Sequence, residues 1–362
     1  MMTMPPGKPR ARDLGLPFPG QTGPLNAITD VAGVEVGLCT LRDPAKGLCT
    51  GVTAILPRGK ARTPRSVRAG QFALNGNGEM TGTHWIHDAG SFLGPVCITN
   101  THGVGMVHHA ATRWMIDTYD GYFRDEHAWA MPVVAETYDG VLNDINAMPV
   151  TVDHALSALC SATTGPVAEG GTGGGAGMIC YEFKGGTGTA SRQVEIGGQT
   201  YMIGALVQAN HGIRPWLNIL GKPVGQIMTD HQLSDQETGS IIVVLATDAP
   251  LSPVSLRHVA RRAALGVGRG GSPGGNNSGD IFLAFSTVDD GPLHPEPPAL
   301  LTRTELNNDG LDPLYLATVE SVEEAVINAM VAGEDTPTFK PAGQVCKALD
   351  GPALAALFAA DR

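Results

Sequence analysis

Charge is scarce in this chain. Asp, Glu, Lys and Arg together make up 16% of it, against about a quarter in ordinary globular proteins. Cations are the scarcer sign, 24 Lys and Arg against 35 Asp and Glu, for a formal charge of −11. Phosphate backbones are bound by clustered cations, and no basic run supplies them, so no nucleic-acid partner is expected. Long apolar runs are missing too. None approaches the roughly eighteen residues of a membrane helix, so no membrane partner is expected. The opening residues, MMTMPPGKPRARDLG, carry basic groups with no apolar stretch behind them, which is not the pattern of a secretory signal. The six cysteines (Cys39, Cys49, Cys97, Cys160, Cys180 and Cys346) include no C-x-x-C pair. That spacing fits reduced, mostly buried thiols in the cytoplasm rather than a zinc site or a disulfide framework.

Several familiar chemical signatures are absent as well. No H-E-x-x-H supports a metal at His84, His87 and Asp88 in THWIHDAG, or at the adjacent His108 and His109. These read as surface or core histidines, and no metal or cofactor is expected. Neither Gly-Lys pair (59–60, 221–222) is followed by Ser or Thr, as a P-loop requires.

Glycine, by contrast, is abundant: 48 of 362 residues, nearly twice the usual ~7%. Such a chain needs many positive-φ turns or close backbone approaches. The densest stretch, Gly170–Gly177 (GGTGGGAG), contains G-x-G-x-x-A but follows no buried strand. It reads as a flexible, close-packed structural loop rather than a phosphate cradle.

Short apolar runs bordered by glycine or proline predict strands at Val34–Cys39, Gly51–Leu56, Pro95–Asn100, Met131–Glu136, Met178–Phe183, Tyr201–Val207, Ser240–Ala246 and Ile281–Phe285. Helical stripes begin at Val104 and after a Thr151 cap, where Val152, Ala155, Leu156 and Leu159 share a face. Ser252-Pro253 signals another start. Ser321-Val-Glu-Glu324 reads as a capping box opening SVEEAVINAMVAG. Residues 1–12 look like a flexible arm, and the rest, 13–362, like one α/β or α+β domain with helices packed over sheets.

Chemistry is legible at a few polar positions. In QETGSIIVVLATDAP, Ser240 stands behind Gly239 at the mouth of an apolar strand. No G-x-S-x-G elbow surrounds it. It either begins a strand after a turn or becomes a nucleophile through cleavage of the Gly239–Ser240 bond. Cleavage would give it a free α-amine of pKa near ~8 that serves as its own base. Glycine suits the preceding position, because Oγ must approach that carbonyl and a side chain would crowd it. Asn210, in LVQANHG, is either a left-handed turn residue or an oxyanion donor. Ser278 and Asp280 share a face if extended, and so do Glu136 and Tyr138 at the end of a strand; ordinary turns are the plain alternative for each pair.

Nine segments tie these positions together: ALNGNGEMTG (73–82), TNTH (99–102), VVAETYDGVLND (133–144), GGGAGM (173–178), FKGGTGTASR (183–192), LVQANHG (206–212), TGSIIVVLATDAPL (238–251), ARRAALG (260–266) and NNSGDIFLAFST (276–287). In this order, over about residues 11–345, they resemble the L-aminopeptidase D-amidase/D-esterase family, which includes the β-peptidyl aminopeptidases. The resemblance implies helices sandwiching two β-layers, as in N-terminal-nucleophile hydrolases but with different strand connectivity. It implies a precursor cut at Gly239–Ser240 into an α chain 1–239 and a β chain 240–362, with Ser240 as the nucleophile. Asn210 and Tyr138 would polarise the substrate carbonyl, Glu136 would hold the free amine, and Ser278 and Asp280 would support Ser240. The substrate would be a small peptide, amide or ester, and the assembly a homotetramer of such chain pairs. Two departures stand out. The β-peptidyl branch has glutamate where this chain has Asp280, and His87-Asp88 replaces the family's acidic pair after THWI. Nylon-oligomer-type hydrolases and ornithine acetyltransferases resemble the same fold but carry threonine at the position of Ser240. An uncleaved binding protein is the remaining alternative.

Overall fold

The computed structural model describes residues 8–359 except 235, 238, 292 and 294–298. Strands β1 (Glu35–Asp43), β2 (Leu48–Leu56), β5 (Val96–Asn100) and β6 (Val133–Thr137) form a four-stranded sheet in that order. A six-stranded sheet runs β4 (Ser91–Phe92), β3 (Val67–Ala73), β12 (Gly279–Ser286), β11 (Ser240–Thr247), β10 (Gln199–Asn210) and β9 (Gly186–Ile196). The β5–β6 and β11–β12 pairs are parallel, and the other pairs within these two sheets are antiparallel.

Three apolar clusters stack the layers. Ile55, Val96, Ile98, Val133 and Ala135 meet Leu206, Ile242, Val244, Ile281 and Leu283 between the sheets. Helices α2 (Val104–Thr118) and α4 (Val152–Ser161) pack on the outer face of the smaller sheet through Val107, Ala111, Ala155 and Leu159. Helices α6 (Pro253–Arg269) and α7 (Asp312–Val331) cover the larger sheet through Leu256, Ala260, Val322 and Ala325. The architecture is a four-layer αββα sandwich. It explains why β11 is apolar without alternation. Ile241, Val243 and Leu245 face the helices while Ile242, Val244 and Ala246 face the other sheet, so both sides are covered.

Thr151 and Ser252 cap α4 and α6, as expected, accepting from His154 N and Ser255 N. Four expectations need correction. Ser321 does not open a helix: it lies within α7, and its hydroxyl donates to the Ala317 carbonyl. The apolar content continues upstream through Leu314 and Ala317, and Asp312-Pro313 supplies the actual start. The run Met178–Phe183 is not one strand. Tyr181 and Glu182 adopt positive φ and turn it into a hairpin of β7 (Ile179–Cys180) and β8 (Phe183–Lys184). The Gly170–Gly177 stretch is no flexible loop, since residues 173–177 are buried. A Cβ on Gly174 would stand 2.6 Å from the Ile98 carbonyl. Finally, residues 8–12 of the expected arm are pinned. Arg10 pairs with Glu169 at 2.7 Å, Arg12 with Glu324 at 2.8 Å, and Ala11 is buried. Residues 1–7 of that arm lie outside the described residues.

The remaining helices are α1 (Thr83–Ala89), α3 (Asp120–Asp125), α5 (Val224–Ile227) and α8 (Gly351–Ala359), and a last hairpin pairs β13 (Thr336–Pro337) with β14 (Val345–Cys346). His84, His87 and Asp88 are exposed along α1, and His108 and His109 lie on α2. Among the described residues, no group of three or more His, Cys, Asp or Glu side chains could hold a metal ion. No described helix is long and apolar enough to cross a membrane. All six cysteines are free thiols.

Candidate active site

Three strand ends converge on Ser240. It is the first residue of β11, Asn210 is the last of β10, and the antiparallel register sets them directly opposite each other. On the other flank, Gly279 of β12 pairs with Ser240 in parallel. Alternation along each strand turns Ser240 and Asn210 toward the facing sheet, on the side of Ile242 and Leu206. Both are buried. Asn210 thus ends a paired, extended strand and is not a left-handed turn residue. Gly239 is tightly constrained. A Cβ there would lie 1.8 Å from the Asn210 carbonyl oxygen. The close approach that demands glycine is therefore to the neighbouring strand's main chain.

The Asn210 amide is oriented from both ends. Its Oδ1 accepts from the Ile179 N–H at 2.8 Å, and its Nδ2 donates to the Tyr138 carbonyl at 3.0 Å. A donor at one end and an acceptor at the other leave a single orientation for the group.

Ser278 and Asp280 do share a face. The Ser278 hydroxyl donates to Asp280 Oδ1 at 2.6 Å, and both residues are fully buried. Asn75 brackets the carboxylate, accepting from Asp280 N at 2.7 Å and donating to Oδ2 at 3.4 Å. Burial pushes the Asp280 carboxyl above its ordinary range, with the Ser278 and Asn75 hydrogen bonds opposing it. The pair sits on the helix side of β12, with Phe282 and Ala284. No hydrogen bond joins either residue to Ser240 among the described residues.

Glu136 and Tyr138 part company. Glu136 is buried at the end of β6, where its Oε1 accepts from the Glu79 N–H at 3.0 Å and its Oε2 from the Thr101 hydroxyl. Burial raises its pKa, and those hydrogen bonds oppose the shift. A Cβ on Gly78 would lie 3.3 Å from both Glu136 Oε1 and Gly279 Cα, which places the carboxylate on the β12 flank of Ser240. Tyr138 is 43% exposed and lines a cavity that Glu136 does not reach. The expectation that both face one pocket fails because β6 ends at Thr137, and alternation ends with it. That cavity, about 260 Å³, opens on the β10 flank beside Asn210 and Gly239.

The sequence profile of peptidase family S58 matches residues 26–342. The chain belongs to that family. It is 49% identical over 349 residues to the β-peptidyl aminopeptidase BapA of Sphingosinicella microcystinivorans, covering 90% of this chain and 86% of the relative. Among solved structures it is similar to the L-aminopeptidase D-Ala-esterase/amidase of Ochrobactrum anthropi, described as a prototype for the serine aminopeptidases and a new variant of the Ntn hydrolase fold. That match has a TM-score of 0.93 and 56% identity over 98% of this chain and 99% of the other. A β-aminopeptidase of Burkholderia sp. matches with a TM-score of 0.87 and 44% identity, over 97% and 98% of the two chains. The αββα sandwich of this S58 peptidase is the Ntn-hydrolase-like variant.

Sequence reasoning did not single out several residues that surround the expected site positions. Asn75 and Thr101 lie in ALNGNGEMTG and TNTH, segments that carry the family resemblance, but neither was given a role. Asp139 was not singled out either. It is buried and accepts from Asn100 at 3.0 Å and Asn143 at 3.2 Å, and burial pushes its carboxyl up to about 6. His211 follows Asn210 into the interior, where burial holds its pKa down at about 3 and keeps it neutral.

Proposed function

We propose that this S58 peptidase cleaves itself at Gly239–Ser240 and then releases small N-terminal residues from short peptides, amino-acid amides and esters. As a member of the family it is a serine aminopeptidase hydrolase. The observation that carries the self-processing reading is the junction itself: a serine at the head of a buried strand, opposite an oriented asparagine, behind a glycine pressed against that asparagine's carbonyl. In maturation, Ser240 Oγ attacks the Gly239 carbonyl, the acyl group moves from nitrogen to oxygen, and water hydrolyses the ester. The products are a carboxylate on Gly239 and an α-amine on Ser240. In turnover that amine takes the Oγ proton as Oγ attacks the substrate carbonyl, then protonates the leaving nitrogen. Water releases the acyl residue. The second N–H of the Asn210 amide meets the oxyanion, while Glu136 pairs with the substrate ammonium. The Ser278–Asp280 pair braces the new amine from the other face of the sheet.

The same reading takes in a cytoplasmic homotetramer of processed chain pairs. Its support is the apolar surface left on the outer helices, where Val254, Leu265 and Leu316 are exposed. Threonine-based amide hydrolases and acetyltransferases are disfavoured by serine at position 240.

The test pairs a mass with a substrate comparison. Under denaturing conditions the purified protein should separate into chains of 239 and 362 − 239 = 123 residues, whereas Ser240→Ala should stay whole and inactive. Alaninamide should be hydrolysed and N-acetylalaninamide should not. An intact wild-type chain that turns over alaninamide, or equal cleavage of blocked and unblocked substrate, sinks the proposal.

A further inference from the structure

The cavity beside Ser240 has no role in the mechanism as derived. It measures about 260 Å³, below the ~300–1,000 Å³ of drug-sized sites, which suits one or two amino-acid residues. Its place relative to the reacting atoms gives it a meaning, and that meaning rests on the aminopeptidase reading above. Glu136 lies on the β12 flank of Ser240, next to Gly78 and Gly279, whereas the cavity lies on the β10 flank, next to Asn210, His211 and Gly239. A substrate whose ammonium sits at Glu136 and whose carbonyl sits at Ser240 runs from the first flank to the second. The atoms beyond the scissile nitrogen then enter the cavity.

Its lining says what those atoms carry. Among the described residues, Lys340 is the one cationic side chain on the wall, and Glu182 the one anionic. Both Glu182 oxygens are engaged by main-chain donors, from Arg214 N at 3.4 Å and Leu233 N at 3.2 Å. Lys340 makes no ion pair among the described residues. Its segment is held in place, since the main-chain N–H groups of Phe339 and Lys340 both donate to the Val141 carbonyl, at 2.8 and 3.1 Å, three residues beyond Tyr138. The wall offers further polar side chains in Ser234, Gln236 and Gln344.

We propose that this cavity is the leaving-group site and that Lys340 binds the terminal carboxylate of a departing amino acid. The favoured substrate class is then the dipeptide with a free C-terminus, ahead of simple amides or longer peptides whose next group is neutral.

The experiment compares Ala-Ala with its C-terminal amide on purified, processed protein. Wild type should favour the free acid by about three- to fivefold in kcat/KM, expressed through KM, the size typical of a solvent-exposed ion pair. Lys340→Met should bring the ratio near one, and Lys340→Glu should reverse it. Lys340 is exposed, so neither change threatens the core. Wild type cutting both peptides equally, or Lys340→Met keeping the preference, overturns the site. Failure of the underlying reading looks different: wild type then cuts neither peptide nor alaninamide.

Discussion

One methyl group at Gly239 should slow maturation about a hundredfold. The Cβ of Gly239→Ala would stand 1.8 Å from the Asn210 carbonyl oxygen, 2.8 Å from its carbon and 3.0 Å from His211 Cα. These are backbone atoms, so no rotamer change relieves the contact. Real Cβ atoms stay at least 3.0 Å from such neighbours, so something must move by 3.0 − 1.8 = 1.2 Å or more. Asn210 cannot yield easily. Strand β10 is paired on both sides, to β9 and β11, and the asparagine amide is tied to Ile179 and Tyr138. The scissile junction shifts instead. A displacement of about 1 Å typically costs around a hundredfold in a reaction that depends on alignment. Pulse-labelled precursor followed on a denaturing gel should therefore convert about a hundred times more slowly in Gly239→Ala than in wild type. Thermal unfolding should change little, because the substituted residue lies in the loop ahead of β11. Conversion at the wild-type rate would refute the reasoning and remove Gly239 as a determinant of the cleavage geometry.

Two further outcomes follow. Asn210→Ala should lower kcat for alaninamide by about 10²–10³ while leaving KM nearly unchanged, as loss of one oxyanion donor does; an unaltered kcat in a processed variant would return Asn210 to a structural role. Asp139 should make stability depend on pH in an unusual direction. Burial raises its carboxyl from 3.8 to about 6, so its contribution is fully present below pH 3.8 and is lost as pH rises through about 6. The span corresponds to something on the order of 3 kcal/mol. Urea unfolding of the uncleaved Ser240→Ala chain at pH 4.5 and 7 should show most of this loss, about 2 kcal/mol, and adding Asp139→Asn should reduce the pH dependence by that amount. Identical pH dependence in both proteins would contradict the assignment.

How much of the fold could be read from the sequence depended on what covers each strand. The run from Ile241 to Ala246 was legible because both of its faces are buried, so apolarity alone marks it. Strand β9, GTGTASRQVEI, was not, although it lies at the heart of the helix contact. A Cβ on Gly188 would stand 2.0 Å from the Ala325 carbonyl of α7. Strand β3 went unread for the same cause: a Cβ on Gly70 would stand 2.2 Å from Arg257 N of α6. Where a helix crosses a sheet this closely, small residues replace the β-branched ones that announce a strand. Part of the chain's glycine is this close packing, beside the twenty described glycines that adopt positive φ.

The site divides along a similar line. Ser240 and Asn210 could be suspected because each stands at an edge where the apolar pattern stops, and the order of the nine segments turned suspicion into roles. Asn75, Thr101 and Asp139 stand in polar, glycine-rich stretches that suit turns equally well. What distinguishes them is the partner that tertiary structure supplies: Asp280 for Asn75, Glu136 for Thr101, and the amides of Asn100 and Asn143 for Asp139. Each of the first two holds a carboxylate whose pKa burial has raised, at a distance of 205 or 35 residues along the chain. A local pattern cannot carry that information. It resides in the register that sets the ends of β6, β10, β11 and β12 side by side, and an engineered change of register by one residue would turn Ser240 away from Asn210 while leaving every local motif intact.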